Sequence, residues 1–199
     1  MTERPAASLP PDYFETLYAA APDPWDFATS GYEAGKYAAT LAALPRPHYA
    51  AALEIGCSIG VLTQMLAARC DRLLALDVAE GALATARARC AGLPVLDFRR
   101  MAVPGNWPEG SFDLILLSEV VYYLDRADVA RLVERVCAAL QPGGDVVLVH
   151  WTGATDYPLS GDAAAEAFIA DAAGRLALMR QQRAERYRLD LLRRLPVVG

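Results

Sequence analysis

Leu53-Glu54-Ile55-Gly56-Cys57-Ser58-Ile59-Gly60, followed by an amphipathic run and then Leu73-Leu74-Ala75-Leu76-Asp77, is the stretch whose reading decides the fold. Residues 50–55 are short and mostly apolar, as a buried parallel strand requires. Gly56 and Gly60 allow backbone to pass where a side chain is expected to collide with a bound ligand. Asp77 closes the second apolar run about twenty residues after the glycines, where a doubly wound fold sets an acid against a ribose hydroxyl pair. An acid at that point predicts a nucleoside.

Outward from this unit, residues 79–90 read as an alanine-rich helix and residues 94–98 as a third short strand. The order β-α-β-α-β calls for a parallel sheet with right-handed crossovers. Residues 112–117 form a clear buried strand with Ser118 and Glu119 at its carboxyl end. Ligands of open α/β sheets bind beyond those ends, so Glu119, Tyr122 and Tyr123 are candidates for the substrate side. Asp125 caps a helix whose Val129, Leu132, Val133, Val136 and Leu140 make one apolar stripe. Gln141-Pro142-Gly143-Gly144 stops it, and residues 145–149 deliver His150 and Trp151 to the same rim. Residues 162–171 read as a short helix. Residues 175–181 and 185–192 alternate as a hairpin does, predicting an antiparallel final strand.

Ahead of the glycine loop, residues 1–11 are rich in proline, alanine and serine and predict a mobile tail, with a single domain over 12–199. Residues 12–48 form its aromatic and helical cap. There Asp23-Pro24-Trp25-Asp26-Phe27 is a turn carrying two large rings ahead of a helix over 32–44. Trp25 and Phe27 either form a lid over the ligand or cover the edge of the core. Tyr32 and Lys36 share a helical face. Lys36 is either a partner for a ligand carboxylate or a surface lysine.

Composition bounds the function. The net charge of −5 in 199 residues argues against a nucleic-acid partner. Arg175, Arg180, Arg183, Arg186 and Arg188 cluster late but alternate with apolar residues, and are read as solvated. The four cysteines are widely spaced without a C-x-x-C pair and the two histidines lie far apart, so neither a disulfide framework nor a metal site is expected. No apolar run approaches the roughly 20 residues that span a bilayer, and a cytoplasmic protein with no membrane partner is expected.

The spacing Glu54-x-Gly56-x-x-x-Gly60 differs from the Gly-x-G-x-x-G of dinucleotide enzymes, which disfavours a dehydrogenase. It resembles motif I of the class I S-adenosylmethionine-dependent methyltransferases. With Asp23-Pro24-Trp25, Ser118-Glu119-Val120-Val121-Tyr122-Tyr123-Leu124 and Leu140-Gln141-Pro142-Gly143-Gly144, the chain resembles the nodulation methyltransferase NodS family from about Asp12 to Leu192. The resemblance implies a Rossmann-like, three-layer αβα fold around a mostly parallel seven-stranded sheet with an antiparallel last strand. It implies S-adenosyl-L-methionine as cofactor, S-adenosyl-L-homocysteine as product and no metal. Cofactor contacts are then expected from Trp25, Tyr32, Lys36, Glu54, Gly56, Cys57, Gly60, Asp77, Val78, Met101, Ala102 and Ser118. Many members carry an acid where Ala102 aligns, leaving backbone contacts from Met101 and Ala102 to hold the adenine. The acceptor implied is a small molecule, an amino sugar or similar amine. O-methylation of a hydroxyl and a non-catalytic cofactor binder are the alternatives. Glu119, His150 and Tyr123 are the catalytic candidates, with Glu119 preparing the acceptor and His150 orienting it.

Overall fold

The computed structural model describes residues 4–196. Its elements run α1 (Pro11–Ala20), α2 (Gly31–Ala43), β1 (Ala52–Ile55), α3 (Val61–Ala67), β2 (Leu73–Asp77), α4 (Glu80–Arg89), β3 (Leu96–Arg100) and β4 (Phe112–Ser118). A 3-10 turn at Val121–Tyr123 follows, then α5 (Arg126–Ala139), β5 (Leu140–Trp151), α6 (Gly161–Asp171), β6 (Leu176–Arg183) and β7 (Tyr187–Arg194). The strands form one seven-stranded sheet in the order β3-β2-β1-β4-β5-β7-β6. The described residues fall into two compact units, 10–102 and 4–9 with 103–196.

In the unit Pro10–Ala102, β1 pairs parallel with β2 and β2 with β3, as the β-α-β-α-β order requires. Each crossover is a helix, and α4 lies against β2 and β3 with α1 over it. β1 is buried at all four positions, the mark of a strand covered on both faces. α2 starts on Ser30, whose hydroxyl accepts from the Glu33 amide at 3.3 Å. In the cap only the helix at 32–44 is expected from sequence; α1 adds a second, which begins on Pro11, a residue read as part of the tail. Proline is in fact suited to a helix's first turn, where its missing N–H costs nothing.

In the other unit, β4 pairs parallel with β5, while β7 runs antiparallel between β5 and β6. Asp125 caps α5 by accepting from Asp128 N at 2.8 Å, and Ser160 caps α6 by accepting from Ala163 N at 3.1 Å. The stripe Val129, Leu132, Val133 and Val136 is wholly buried, each side chain contributing about 1.5–3 kcal/mol of apolar burial. Residues 4–9, expected as part of a tail, are hydrogen-bonded: Arg4 Nη1 donates to the Tyr157 carbonyl at 2.6 Å, Leu9 N to the Tyr123 carbonyl at 2.9 Å and Ser8 Oγ to Asp128 at 2.5 Å. The first three residues of that tail lie outside the described residues.

One expectation is corrected on β7. Arg188 is not solvated but 0 % exposed. Its Nε and Nη2 donate to the two oxygens of Asp190 at 2.9 and 3.1 Å, and Nη1 donates to Asp162 at 2.9 Å. Asp190, itself buried, also accepts from Gln181 Nε2 at 2.7 Å. Strand alternation placed Arg188 on the face that α6 covers, and planar bidentate pairing is what makes a buried arginine tolerable there. Removing one partner of a buried pair strands the other charge, so Arg188→Leu should cost about 3–5 kcal/mol in chemical denaturation. The same change at exposed Arg186 should stay within about 0.5 kcal/mol.

Candidate functional site

The glycine loop leaves β1 through three left-handed residues, Gly56 (φ 79), Ser58 (φ 50) and Gly60 (φ 77). Gly56 N and Cys57 N both donate to the Leu76 carbonyl, at 2.8 and 2.9 Å, which lashes the loop to the end of β2. Ser58 N donates to Asp77 Oδ2 at 2.8 Å, and Gly60 N to the Cys57 carbonyl at 3.0 Å. The amides of Gly56, Cys57, Ser58 and Gly60 are therefore spent inside the protein. A loop that cradles pyrophosphate presents such donors to the ligand instead.

Gly60 serves packing, which departs from the ligand-clearance role expected of it. A Cβ there would stand 2.9 Å from Ala86 Cβ, so the missing side chain is what lets the start of α3 meet α4. Gly56 is required by its backbone conformation, a region that residues with a side chain enter at a cost of about 1–2 kcal/mol.

Asp77 ends β2. Its Oδ2 holds Ser58 N and its Oδ1 accepts from Ala79 N at 2.9 Å. A carboxylate has about four acceptor directions, so Asp77 keeps capacity for a ligand hydroxyl. Burial raises the Asp77 pKa, and the amides of Ala79, Ser58 and Val78 pull it back. Glu54, on β1, is buried, and its Oε2 has no hydrogen-bond partner among the described residues. Burial pushes its pKa up to about 7; the nearby Thr63 hydroxyl opposes the shift and the charge of Asp77 reinforces it. A buried carboxyl oxygen without a partner and an acid with spare acceptor capacity both fit a ligand rich in hydroxyl and amino donors.

Trp25 and Phe27 stack at 5.5 Å, and Trp25 meets Tyr18 edge-on at 5.7 Å. These rings pack around Ile59, Ala79 and Ala82, so the turn covers the glycine loop and the start of α4. The turn itself is built by Asp23, whose carboxylate accepts from Phe27 N and Ala28 N, both at 2.8 Å. Lys36 is not a surface lysine: it is 2 % exposed, with Nζ 3.0 and 2.9 Å from the two oxygens of Glu33 and 5.5 Å from the Tyr32 ring centre. Its charge is already balanced within α2. Met101 N donates to the Asp77 carbonyl at 2.9 Å, so that amide is not available to an adenine, while the half-buried Val78 carbonyl accepts from Arg100 Nε at 2.9 Å. Ala102 closes this unit.

Ser118 and the three catalytic candidates lie in the other unit. Glu119 leaves β4 in a left-handed conformation (φ 57) that aims its carboxylate back along the strand end. Its Oε2 accepts from Tyr122 Oη and from Trp151 N, both at 2.8 Å. Burial, and next the Glu119 charge, hold the Tyr122 phenol well above its ordinary pKa, so it serves as a donor. Tyr123 is raised likewise, by burial first, and its ring meets those of Tyr122 and Tyr157 at 4.6 and 4.7 Å. Such a phenol orients a ligand rather than taking a proton from it.

His150 departs from expectation. It is 0 % exposed, and its Nε2 accepts from Val121 N at 3.2 Å, pinning the 3-10 turn that carries Tyr122. Strand alternation turned it into the core, and a ring whose Nε2 is filled by a backbone amide holds structure. Sequence reasoning also missed Tyr18, whose hydroxyl hydrogen-bonds Ser58 Oγ, and Tyr157, which completes the aromatic cluster. Neither lies in a recognisable motif; only the density of tyrosines around them pointed to either.

A glycine loop tied to a half-buried acid on a doubly wound sheet is shared with solved methyltransferases. Residues 15–186 match the family model described as Nodulation protein S (NodS), and the chain belongs to that family. Nodulation protein S of Bradyrhizobium diazoefficiens is 34% identical over 125 residues, 62% of this chain and 60% of that relative's length. The chain thus spans less than two thirds of that curated relative. A putative methyltransferase from Pseudomonas syringae, 39% identical, superposes with TM-score 0.73 over 83% of this chain and 100% of that one. The N-methyltransferase NodS from Bradyrhizobium japonicum WM9, 26% identical, has TM-score 0.73 over 84% of this chain and 99% of that one. The same protein in complex with S-adenosyl-L-homocysteine shares the fold at TM-score 0.79, with 24% identity over 92% and 97%. Among the described residues no cluster of His, Cys, Asp or Glu fits a metal, and no helix is long and apolar enough to cross a membrane.

The raised Glu54 pKa has a pH signature. A carboxyl that titrates higher in the fold than in the unfolded chain stabilises fully below its unfolded value near 4.5, and that contribution is lost as pH rises through about 7. Glu54→Gln removes the titration. The wild type should lose stability relative to the variant between pH 5 and 8, by on the order of 3 kcal/mol, read from urea unfolding at each pH. Parallel curves would mean that Glu54 keeps its ordinary pKa.

Proposed function

We propose that this chain is an S-adenosyl-L-methionine-dependent methyltransferase acting on the nitrogen of a small-molecule amine, an amino sugar being the favoured acceptor class. The observation that carries the cofactor assignment is the Gly56–Gly60 loop, whose amides are spent and whose turn is fastened to Asp77. Membership of the NodS family supports the amine. When bound, S-adenosylmethionine supplies a methyl group on a sulfonium, a centre that needs no further activation.

The residues of this chain bind and orient. Asp77 accepts from the ribose hydroxyls, Gly56 lets the loop close on the ligand, and Glu54 offers its partnerless Oε2 to a donor, the amino group among them. Trp25, Tyr32, Cys57, Val78 and Ala102 are assigned to the walls of the cofactor site. Lys36 and Gly60 contribute through helix charge balance and helix packing, and Met101 through its half-buried side chain.

On the acceptor side, an amine at neutral pH is largely an ammonium and has no lone pair with which to attack. Glu119 is the group assigned to take that proton. Its carboxylate is fixed by Tyr122 Oη and Trp151 N, so it needs no reorganisation to meet an N–H. Tyr123 lends a hydroxyl and a ring edge to the acceptor, and His150 holds the turn on which Tyr122 and Tyr123 stand.

Calorimetric titration with S-adenosylmethionine and NAD, then methyl transfer to a panel of amines and alcohols, tests the assignment. Transfer to alcohols alone would replace it with O-methylation, and binding without transfer would make the chain a cofactor binder. Asp77→Ala should cost about 1.5–3 kcal/mol of S-adenosylhomocysteine affinity, the range for a hydrogen bond to a charged group. Glu119→Gln keeps shape and both hydrogen bonds but removes basicity. It should lower turnover about 10²-fold or more with cofactor affinity unchanged. Normal turnover would reduce Glu119 to an orienting role.

A further inference from the structure

The position in the glycine loop that most needs explaining is Ser58. It is not a glycine, yet it sits at φ 50, and the loop's tie to Asp77 passes through its amide. A residue with a side chain held in that region carries a cost that its surroundings must offset. The side chain of Ser58 has one visible means of doing so, because its Oγ is hydrogen-bonded to the hydroxyl of Tyr18, from the third turn of α1. Tyr18 is buried among Ile59, the neighbour of Ser58, and Ala79 and Ala82 just beyond Asp77, and its ring rests edge-on against Trp25. Burial, then the charge of Asp77, raises its pKa, so it remains a neutral hydroxyl.

We propose that Tyr18 is a positioning residue for cofactor binding: its hydroxyl locks Ser58 in the left-handed conformation that delivers the Ser58 amide to Asp77. The relay runs Tyr18 Oη, Ser58 Oγ, Ser58 N, Asp77 Oδ2, and leaves the Asp77 carboxylate aimed for its ligand. Helix α1 thereby takes part in cofactor affinity without touching the cofactor. The inference rests on the reading that the loop and Asp77 hold S-adenosylmethionine.

The test is S-adenosylhomocysteine affinity by calorimetry in a set of full-length variants. Tyr18→Phe keeps the ring and its packing and should weaken binding about 3- to 10-fold, the scale of one net hydrogen bond. Ser58→Ala should do the same. The double variant should be no weaker than the weaker single, because both remove one interaction. In a Ser58→Gly background, where the left-handed conformation needs no lock, Tyr18→Phe should change affinity by less than about twofold. A merely structural tyrosine would lower affinity equally in both backgrounds. Unchanged binding in Tyr18→Phe, or losses that multiply in the double variant, overturns the proposal. Asp77→Ala is titrated alongside: if it binds as the wild type does, the cofactor assignment itself has failed rather than the relay.

Discussion

Asp77 is the constraint on which half of this molecule depends. Its side chain accepts from the glycine loop on one oxygen and from the start of α4 on the other, while its carbonyl takes the Met101 amide. One residue thus joins three chain segments that a parallel sheet brings to the same strand end. Even half-buried, a carboxylate loses hydration, and the amides that surround it offset that loss. Those same amides define the loop, so the stability of the acid and the shape of the loop are one problem with one solution. Trp25, Phe27 and Tyr18 pack on Ile59, from the loop, and on Ala79 and Ala82, from the start of α4.

Glu119 stands at the end of β4 in the other unit and, like Asp77, accepts from a main-chain amide. A left-handed backbone turns the carboxylate inward, and a main-chain amide with a phenol hydroxyl fixes it. Asp26, Ser58 and Glu119 are the described residues with a side chain and a positive φ. They fall in the aromatic turn, the glycine loop and the β4 end, three segments singled out by sequence motif. Backbone strain gathering at such places is expected where geometry serves a ligand rather than the fold.

Much of this was legible in the residues because parallel strands and glycine turns leave strong local marks. The first four strands, α4, α5 and the final hairpin follow from apolar runs, stripes and alternation. Local marks say less about direction. His150 was placed correctly at the end of β5, but the face of the strand it occupies depends on the pleat, and the pleat turned it inward. Arg188 misled for the same reason, since alternation that looks solvated on one face is buried once α6 covers it. The lysine at 36 was unreadable because the partner that neutralises it, Glu33, lies in its own helix and could equally have paired in solvent. Gly60 carried a true signal with a different cause: what needed the space was Ala86.

The anchoring of residues 4–9 has a consequence for how the chain is made. Arg4 meets the Tyr157 carbonyl across 153 residues of sequence, and Ser8 meets Asp125 and Asp128 across 117 and 120. Contacts of that span close last, since the entropy of bringing distant segments together is lost before any contact returns it. During synthesis residues 4–9 precede the segments at 123–157 that seat them. Residues 4–9 are therefore held by a seat that comes more than a hundred residues later in the sequence. Loss of that seat frees residues 4–9, so their protection from proteolysis reports whether the segment at 123–157 is in place.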